Sequence, residues 1–172
     1  MKNNPAEILK KRARLAAQVP EPDTPGTETR ELLEFKLAAG TYYLEIRFID
    51  DVQTLSDLTP LPGTPAFILG LMAVRGRIRC VVDLKVLLGI ESAVTDRPKV
   101  ILLADGGIEF GIAADSVETS RRIPLAAIRP PLAGPSLGSH LVQGLVGSSG
   151  ILLDAQKLIH DPNLVVNQGE SS

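Results

Sequence analysis

The chain has 172 residues, 44% hydrophobic and 22% charged, enough for one packed domain or two small ones of ordinary globular composition. A net charge of −2 and 3% aromatics without Trp supply neither the basic field nor the stacking platforms that nucleic-acid binding requires. The single cysteine rules out a disulfide framework, and no apolar run reaches membrane-spanning length, so the expectation is a cytoplasmic chain with no direct membrane insertion.

Residues 1–30 read as an extension: Asn4, Pro5 and Glu7 make a helix start, with a weak apolar stripe of Ile8, Leu9, Leu15 and Ala16. The segment is either a solvated extension or a helix docked on the body or on a partner. Pro20 to Thr29 is a polar, Pro-rich linker. The folded body is expected over 31–162 and a short polar tail over 163–172.

From Glu31 the pattern alternates. Leu33, Phe35 and Leu37 interleave with Glu34 and Lys36, Ala39-Gly40 is the expected turn, and Tyr42, Leu44 and Ile46 return, which predicts a hairpin with one face buried and one wet. Ile49-Asp50-Asp51-Val52 turns a corner into a short strand, in which adjacent acids should point to opposite faces. Leu58 to Pro65 is too rich in proline for an internal strand and reads as a stiff surface loop, with one turn of helix expected at Ala66 to Leu69.

The central stretch, Gly70 to Gly89, predicts a hairpin folded at Arg75-Gly76 and covered on both faces for part of its length, then a short helix capped by Asp83 and stopped by Gly89. The pattern then begins again. Val100 to Ala104, Asp105-Gly106-Gly107 and Ile108 to Ile112 repeat the first hairpin, Ser116 to Thr119 falls near the equivalent of Asp51 to Thr54, and Gly144 to Ile159 echoes the central stretch. Arg121 to Leu132 reads as strand ends and loop. The ordered echo predicts two similar halves of several strands each.

Catalytic patterns are sparse. His140 and His160 lack metal-ligand companions at familiar spacing, Cys80 sits in an apolar strand, and no phosphate-cradling glycine loop occurs. A small β-rich chain of this kind is expected to be a binding module that needs no cofactor or metal rather than an enzyme; a small-ligand or nucleic-acid barrel is the reading from another class.

The run Thr64-Pro65-Ala66-Phe67-Ile68-Leu69-Gly70, then Ala73-Val74-Arg75-Gly76-Arg77-Ile78, then Val81-Val82-Asp83-Leu84-Lys85, closely resembles the CheW family of chemotaxis adaptors, and further landmarks extend the resemblance over about residues 31 to 160. The family asparagine before the turn is Ala73 here, and its return-strand proline is Cys80. The resemblance implies an all-β fold of two intertwined five-stranded SH3-like barrels with short helices around a shared apolar seam. It implies a non-enzymatic adaptor between the cytoplasmic tip of a chemoreceptor and the regulatory domain of a CheA-type histidine kinase, or an adaptor of a twitching-type chemosensory pathway. Carried over by position, Asp51 and Arg75 become an ion pair beside the receptor groove. Leu58, Leu61, Thr64, Phe67, Ile68 and Gly70 become the kinase-facing patch, with Leu58, Leu61 and Ile68 expected as exposed apolar anchors.

Overall fold

The computed structural model describes residues 28–91, 98–132 and 139–161. The expected helix after Asn4, the linker up to Thr27, the break at 92–97, residues 135–138 of the late connection and the tail after Asp161 lie outside the described residues. Eleven strands are seen among those described: β1 (Thr29–Leu37), β2 (Gly40–Glu45), β3 (Ile49–Thr54), β4 (Ile68–Val74), β5 (Arg77–Asp83), β6 (Lys99–Asp105), β7 (Ile108–Ala114), β8 (Ser116–Pro124), β9 (Ile128–Arg129), β10 (Val142–Val146) and β11 (Gly150–Leu153). Two five-residue helices, α1 (Leu84–Leu88) and α2 (Ala155–Ile159), follow β5 and β11.

The strands form two sheets, ordered β3-β6-β7-β5-β4 and β8-β1-β2-β11-β10-β9. The two halves of the sequence run β1 to α1 and β6 to α2, and each contributes its first hairpin to the sheet built by the rest of the other. Thus β6–β7 lies between β3 and β5, while β1–β2 lies between β8 and β11. The junctions β5–β7 and β2–β11 are parallel, and every other pairing is antiparallel. The fold is therefore all-β, two SH3-like subdomains interlocked by exchange. One sheet carries a sixth, two-residue strand, β9, beyond the five expected, because Ile128 and Arg129 pair with Val146 and Leu145.

Apolar alternation explains the layering. Leu33, Phe35 and Leu44 from one sheet meet Ile101, Leu103 and Ile112 from the other, all fully buried, and Leu84 of α1 and Leu158 and Ile159 of α2 close the same cluster. The opposite faces each hold a smaller core: Met72, Val74, Val81, Val100 and Leu102 in the five-stranded sheet, and Leu32, Tyr43, Val146 and Leu152 in the other. Each buried Leu or Phe contributes about 1.5–3 kcal/mol by leaving water, which places most of the stability in the seam. Asp83 caps α1 by accepting from the Lys85 N–H at 2.9 Å, and Gly89 ends it with φ 70°. Asp154 caps α2 in the same way through the Lys157 N–H.

Several expectations change. The first hairpin turns at Ala38-Ala39, and Gly40 opens β2; Ala38 takes φ 54° because its N–H donates to Asp115 Oδ2 at 2.6 Å, a partner far along the chain. Its second face is not wet, since Glu34, Tyr43 and Glu45 are buried in the smaller core's wall. Ala66 to Ile68 is a turn closed by the Ile68 N–H donating to Pro65 O, and the strand starts at Ile68 where a helical turn was expected. Ser116 to Pro124 is one nine-residue strand, so Arg121 to Pro124 continue a strand where strand ends and loop were expected: β1 supplies its pairing, and its polar residues suit the edge of a sheet.

Candidate partner-binding site

The hairpin β4–β5 folds at Arg75-Gly76 with positive φ at both residues, 51° and 77°, the backbone of a type I′ turn. Arginine is an uncommon occupant of that region, and its side chain has a partner that holds it there. Arg75 Nη2 lies 3.1 Å from Asp51 Oδ2, with the Asp51 carboxylate only 8% exposed. Strands β3 and β4 are the two edges of the five-stranded sheet, so this ion pair joins edges that no ladder hydrogen bond connects. The Asp51 carboxylate also accepts from the Val52 N–H at 2.8 Å and from Gln53 Nε2 at 2.7 Å.

Asp50 and Asp51 do not point to opposite faces. The β3–β6 register passes from Ile49↔Leu103 to Asp51↔Leu102, leaving Asp50 as the extra residue of a bulge. A bulge resets the alternation, so both carboxylates turn toward the same hairpin. Asp50 Oδ2 lies 3.9 Å from Arg79 Nη2, Arg79 Nη1 lies 2.6 Å from Glu109 Oε2, and Arg77 Nη1 reaches the same oxygen at 3.3 Å. Arg79 is 7% exposed, and neither its Nε nor its Nη1 has a well-aligned hydrogen-bond acceptor.

The loop before β4 is pinned at several points. Thr59 and Leu71 exchange both backbone hydrogen bonds at 2.7 Å, Thr64 Oγ1 donates to Leu61 O at 2.7 Å, and the Asp83 N–H donates to Phe67 O at 2.6 Å. Leu58 packs half-buried on the Met72–Val81 core and Phe67 on the main seam, and Ile68, paired with Val82, is half-buried. Of the three expected anchors only Leu61, at 36%, is exposed; the inward packing of Leu58 follows from the Thr59–Leu71 bridge, which draws the loop onto β4, and Ile68 is half-buried as the first residue of that strand, paired with Val82.

Gly70 permits that bridge. It has φ 147°, and a Cβ there would stand 2.3 Å from the Thr59 carbonyl oxygen. Gly70→Ala is expected to break the bridge and destabilise the domain by about 2 kcal/mol, read as a lower urea midpoint together with faster amide exchange at Thr59 and Leu71. Exchange at Thr59 unchanged from wild type would contradict this role.

Ile78, 71% exposed, was missed because it lies in an apolar run that reads as core. It pairs with exposed Ala73 at the hairpin end, next to Arg75 and Arg77. The histidines hold other work: His140 Nε2 lies 2.9 Å from Asp161 Oδ2 and His160 Nε2 lies 2.8 Å from Asp105 Oδ2, two clips at the C-terminal end of α2. Among the described residues no group of three metal-ligating side chains occurs, and no helix is long and apolar enough to cross a membrane. Burial pushes the Cys80 thiol up, away from thiolate chemistry.

Two interlocked barrels with a pinned loop and an ion-paired hairpin define a duplicated adaptor domain whose chemistry is contact. The model of the CheW-like domain family matches residues 31–163, and the chain belongs to that family. It is a non-enzymatic adaptor of chemotaxis-type signal transduction, the role that links chemoreceptors to a CheA-type kinase in general. Protein FrzA of Myxococcus xanthus is 41% identical over 95 residues, 54% of this chain and 59% of FrzA. Chemotaxis protein CheW of Thermotoga maritima is 29% identical over 142 residues, 81% of this chain and 92% of that protein. The crystal structure of scaffolding protein TtCheW from Thermoanaerobacter tengcongensis superposes with a TM-score of 0.68 at 27% identity, covering 73% of this chain and 89% of that one.

Proposed function

We infer that this adaptor holds the regulatory domain of a CheA-type kinase on the loop bearing Leu58, Leu61, Thr64, Phe67, Ile68 and Gly70, and the cytoplasmic tip of a chemoreceptor beside Asp51 and Arg75. The observation that carries the reading is Leu61, an exposed apolar side chain on a loop whose backbone is already bonded in place. An anchor presented this way loses little conformational entropy on association. The Asp51–Arg75 pair contributes orientation: with Arg75 66% exposed, such a pair is worth about 0.2–1 kcal/mol. The identity to FrzA supports a second reading of the output, an adaptor serving a chemosensory pathway other than swimming.

Calorimetric titration of the two partners separates the surfaces. Leu61→Asp is expected to weaken the kinase domain about tenfold or more, a loss of about 1.4 kcal/mol or more, with receptor binding unchanged. Arg75→Ala is expected to weaken the receptor fragment while sparing the kinase. Unaltered kinase affinity in the Leu61 variant would remove the loop from the interface.

A further inference from the structure

The end of hairpin β4–β5 that carries Arg75 overhangs its sheet. The parallel ladder between β5 and β7 begins only at Cys80↔Phe110 and runs to Asp83↔Ala113, so it leaves out Arg77, Ile78 and Arg79. On the other side β4 is an edge strand, whose one outer backbone contact among the described residues is the Thr59 bridge at Leu71. The last three cross-strand pairs, Met72↔Arg79, Ala73↔Ile78 and Val74↔Arg77, and the turn beyond them are therefore joined by backbone hydrogen bonds only to each other among the described residues. Burial of Met72 and Val74 keeps this overhang against the smaller core. Apolar contact is non-directional, however, so it leaves the tilt of the turn open.

Ion pairs take over where the ladder ends. The Glu109 carboxylate accepts from Arg77 Nη1 at 3.3 Å on both oxygens and lies 2.6 Å from Arg79 Nη1. Arg77 and Arg79 share a face of β5, and one carboxylate grips both. Glu109 is itself seated in the β6–β7 ladder, opposite Ala104. From the far edge, Asp51 of β3 holds Arg75 at 3.1 Å, and the bulge brings Asp50 to 3.9 Å from Arg79. An exposed pair such as Asp51–Arg75 is worth about 0.2–1 kcal/mol, too little to fix a direction by itself. The turn keeps its direction because it is held from β7 as well as from β3. We infer that Glu109 is a positioning residue for the receptor site: by gripping Arg77 and Arg79 it sets the direction in which the turn presents Arg75. The inference rests on the reading that the receptor tip docks beside Asp51 and Arg75, and it names the group that orders that surface before the partner arrives.

Arg79→Met with Glu109→Ala removes the grip and leaves no buried charge unpaired, which keeps the cost in stability small. In calorimetric titration of the full chain, this double variant is expected to bind the receptor fragment about fivefold more weakly, the coupling of groups that act together. Its affinity for the kinase domain should be unchanged, a split that a general loss of structure would not give. In an Arg75→Ala background the same two changes should cost nothing further, because the group they position is gone. Arg77→Met removes one exposed arm and leaves the buried pair in place, so it stands in if the double variant does not fold. In both variants 15N relaxation is expected to show the Gly76 amide order parameter falling below the rigid-backbone value of about 0.85, and further in the double variant. The inference is overturned, with the docking reading intact, if Arg75→Ala weakens receptor binding and the double variant does not. It is equally overturned if the two changes cost as much without Arg75 as with it, or if Gly76 keeps its order parameter in both variants. Receptor affinity unchanged in Arg75→Ala would instead sink the docking reading, and the Gly76 relaxation would still decide whether Glu109 holds the turn.

Discussion

Replacing Glu109 by Ala is expected to lower the unfolding free energy by about 3 kcal/mol, the lower end of the range for stranding a buried charge. Arg79 is almost wholly enclosed, and among the described residues its closest anion is Glu109 at 2.6 Å, with Asp50 at 3.9 Å offering partial relief. The loss comes from a guanidinium left without a counter-charge, so it should disappear when the guanidinium goes too. Arg79→Met combined with Glu109→Ala is expected to return stability to within about 1 kcal/mol of wild type, since an apolar replacement of similar volume removes the desolvation term altogether. Urea unfolding of the two single variants and the double variant measures this. Additive losses in the double variant would mean that the two side chains act independently.

Asp115→Ala is the second large loss, again about 3 kcal/mol, because one carboxylate serves both sheets. Its Oδ1 receives Lys85 Nζ at 2.7 Å, drawing α1 of one repeat inward, while Oδ2 receives the Ala38 N–H that keeps the first hairpin's turn in its left-handed conformation. Lys85 and Asp115 are both mostly enclosed, so the ammonium left behind has little access to water. Asp115→Asn can still accept from Ala38 and should cost about half as much. Lys85→Met should cost less than either, since Asp115 then keeps its backbone donor. Chemical denaturation of all three variants tests the order, and a Lys85→Met loss equal to that of Asp115→Ala would assign the whole effect to the ion pair.

How much of this was readable in the residues depends on the range of the force involved. Alternation in Leu33 to Leu37, the caps at Asp83 and Asp154 and the paired halves are local signals, and they predicted strands, helices and duplication. The exchange of hairpins is not local: the residues of β1–β2 bury the same faces whether they complete their own repeat or the other, so only coordinates or a family resemblance decide. The Ala38-Ala39 turn escaped notice because its stabilising acceptor, Asp115, is remote in sequence. The second half of β8, Arg121 to Pro124, escaped because an edge strand can be polar, with Ser120 as the one fully enclosed residue of β8. Adjacent acids at 50 and 51 were misread because a bulge is invisible to a period-two rule. The two barrels also fill their corresponding junctions differently: Tyr43 packs where Gly150 leaves room in one, whereas Gly111 lies beside Val100 and Leu102 in the other. A repeat seen in sequence therefore predicts the path of the chain better than it predicts which side chains occupy each interior.

The swapped arrangement also sets an order of events as the polypeptide emerges during synthesis. Hairpin β1–β2 is made before the rest of the body, yet its neighbours β8 and β11 lie in the second repeat, and β11 is the last of the described strands. Until then the apolar residues Leu33, Phe35 and Leu44 have no permanent cover, a state in which nascent chains associate with one another or are held by chaperones. For this adaptor, the vulnerable interval is the time the ribosome needs to cross the second repeat.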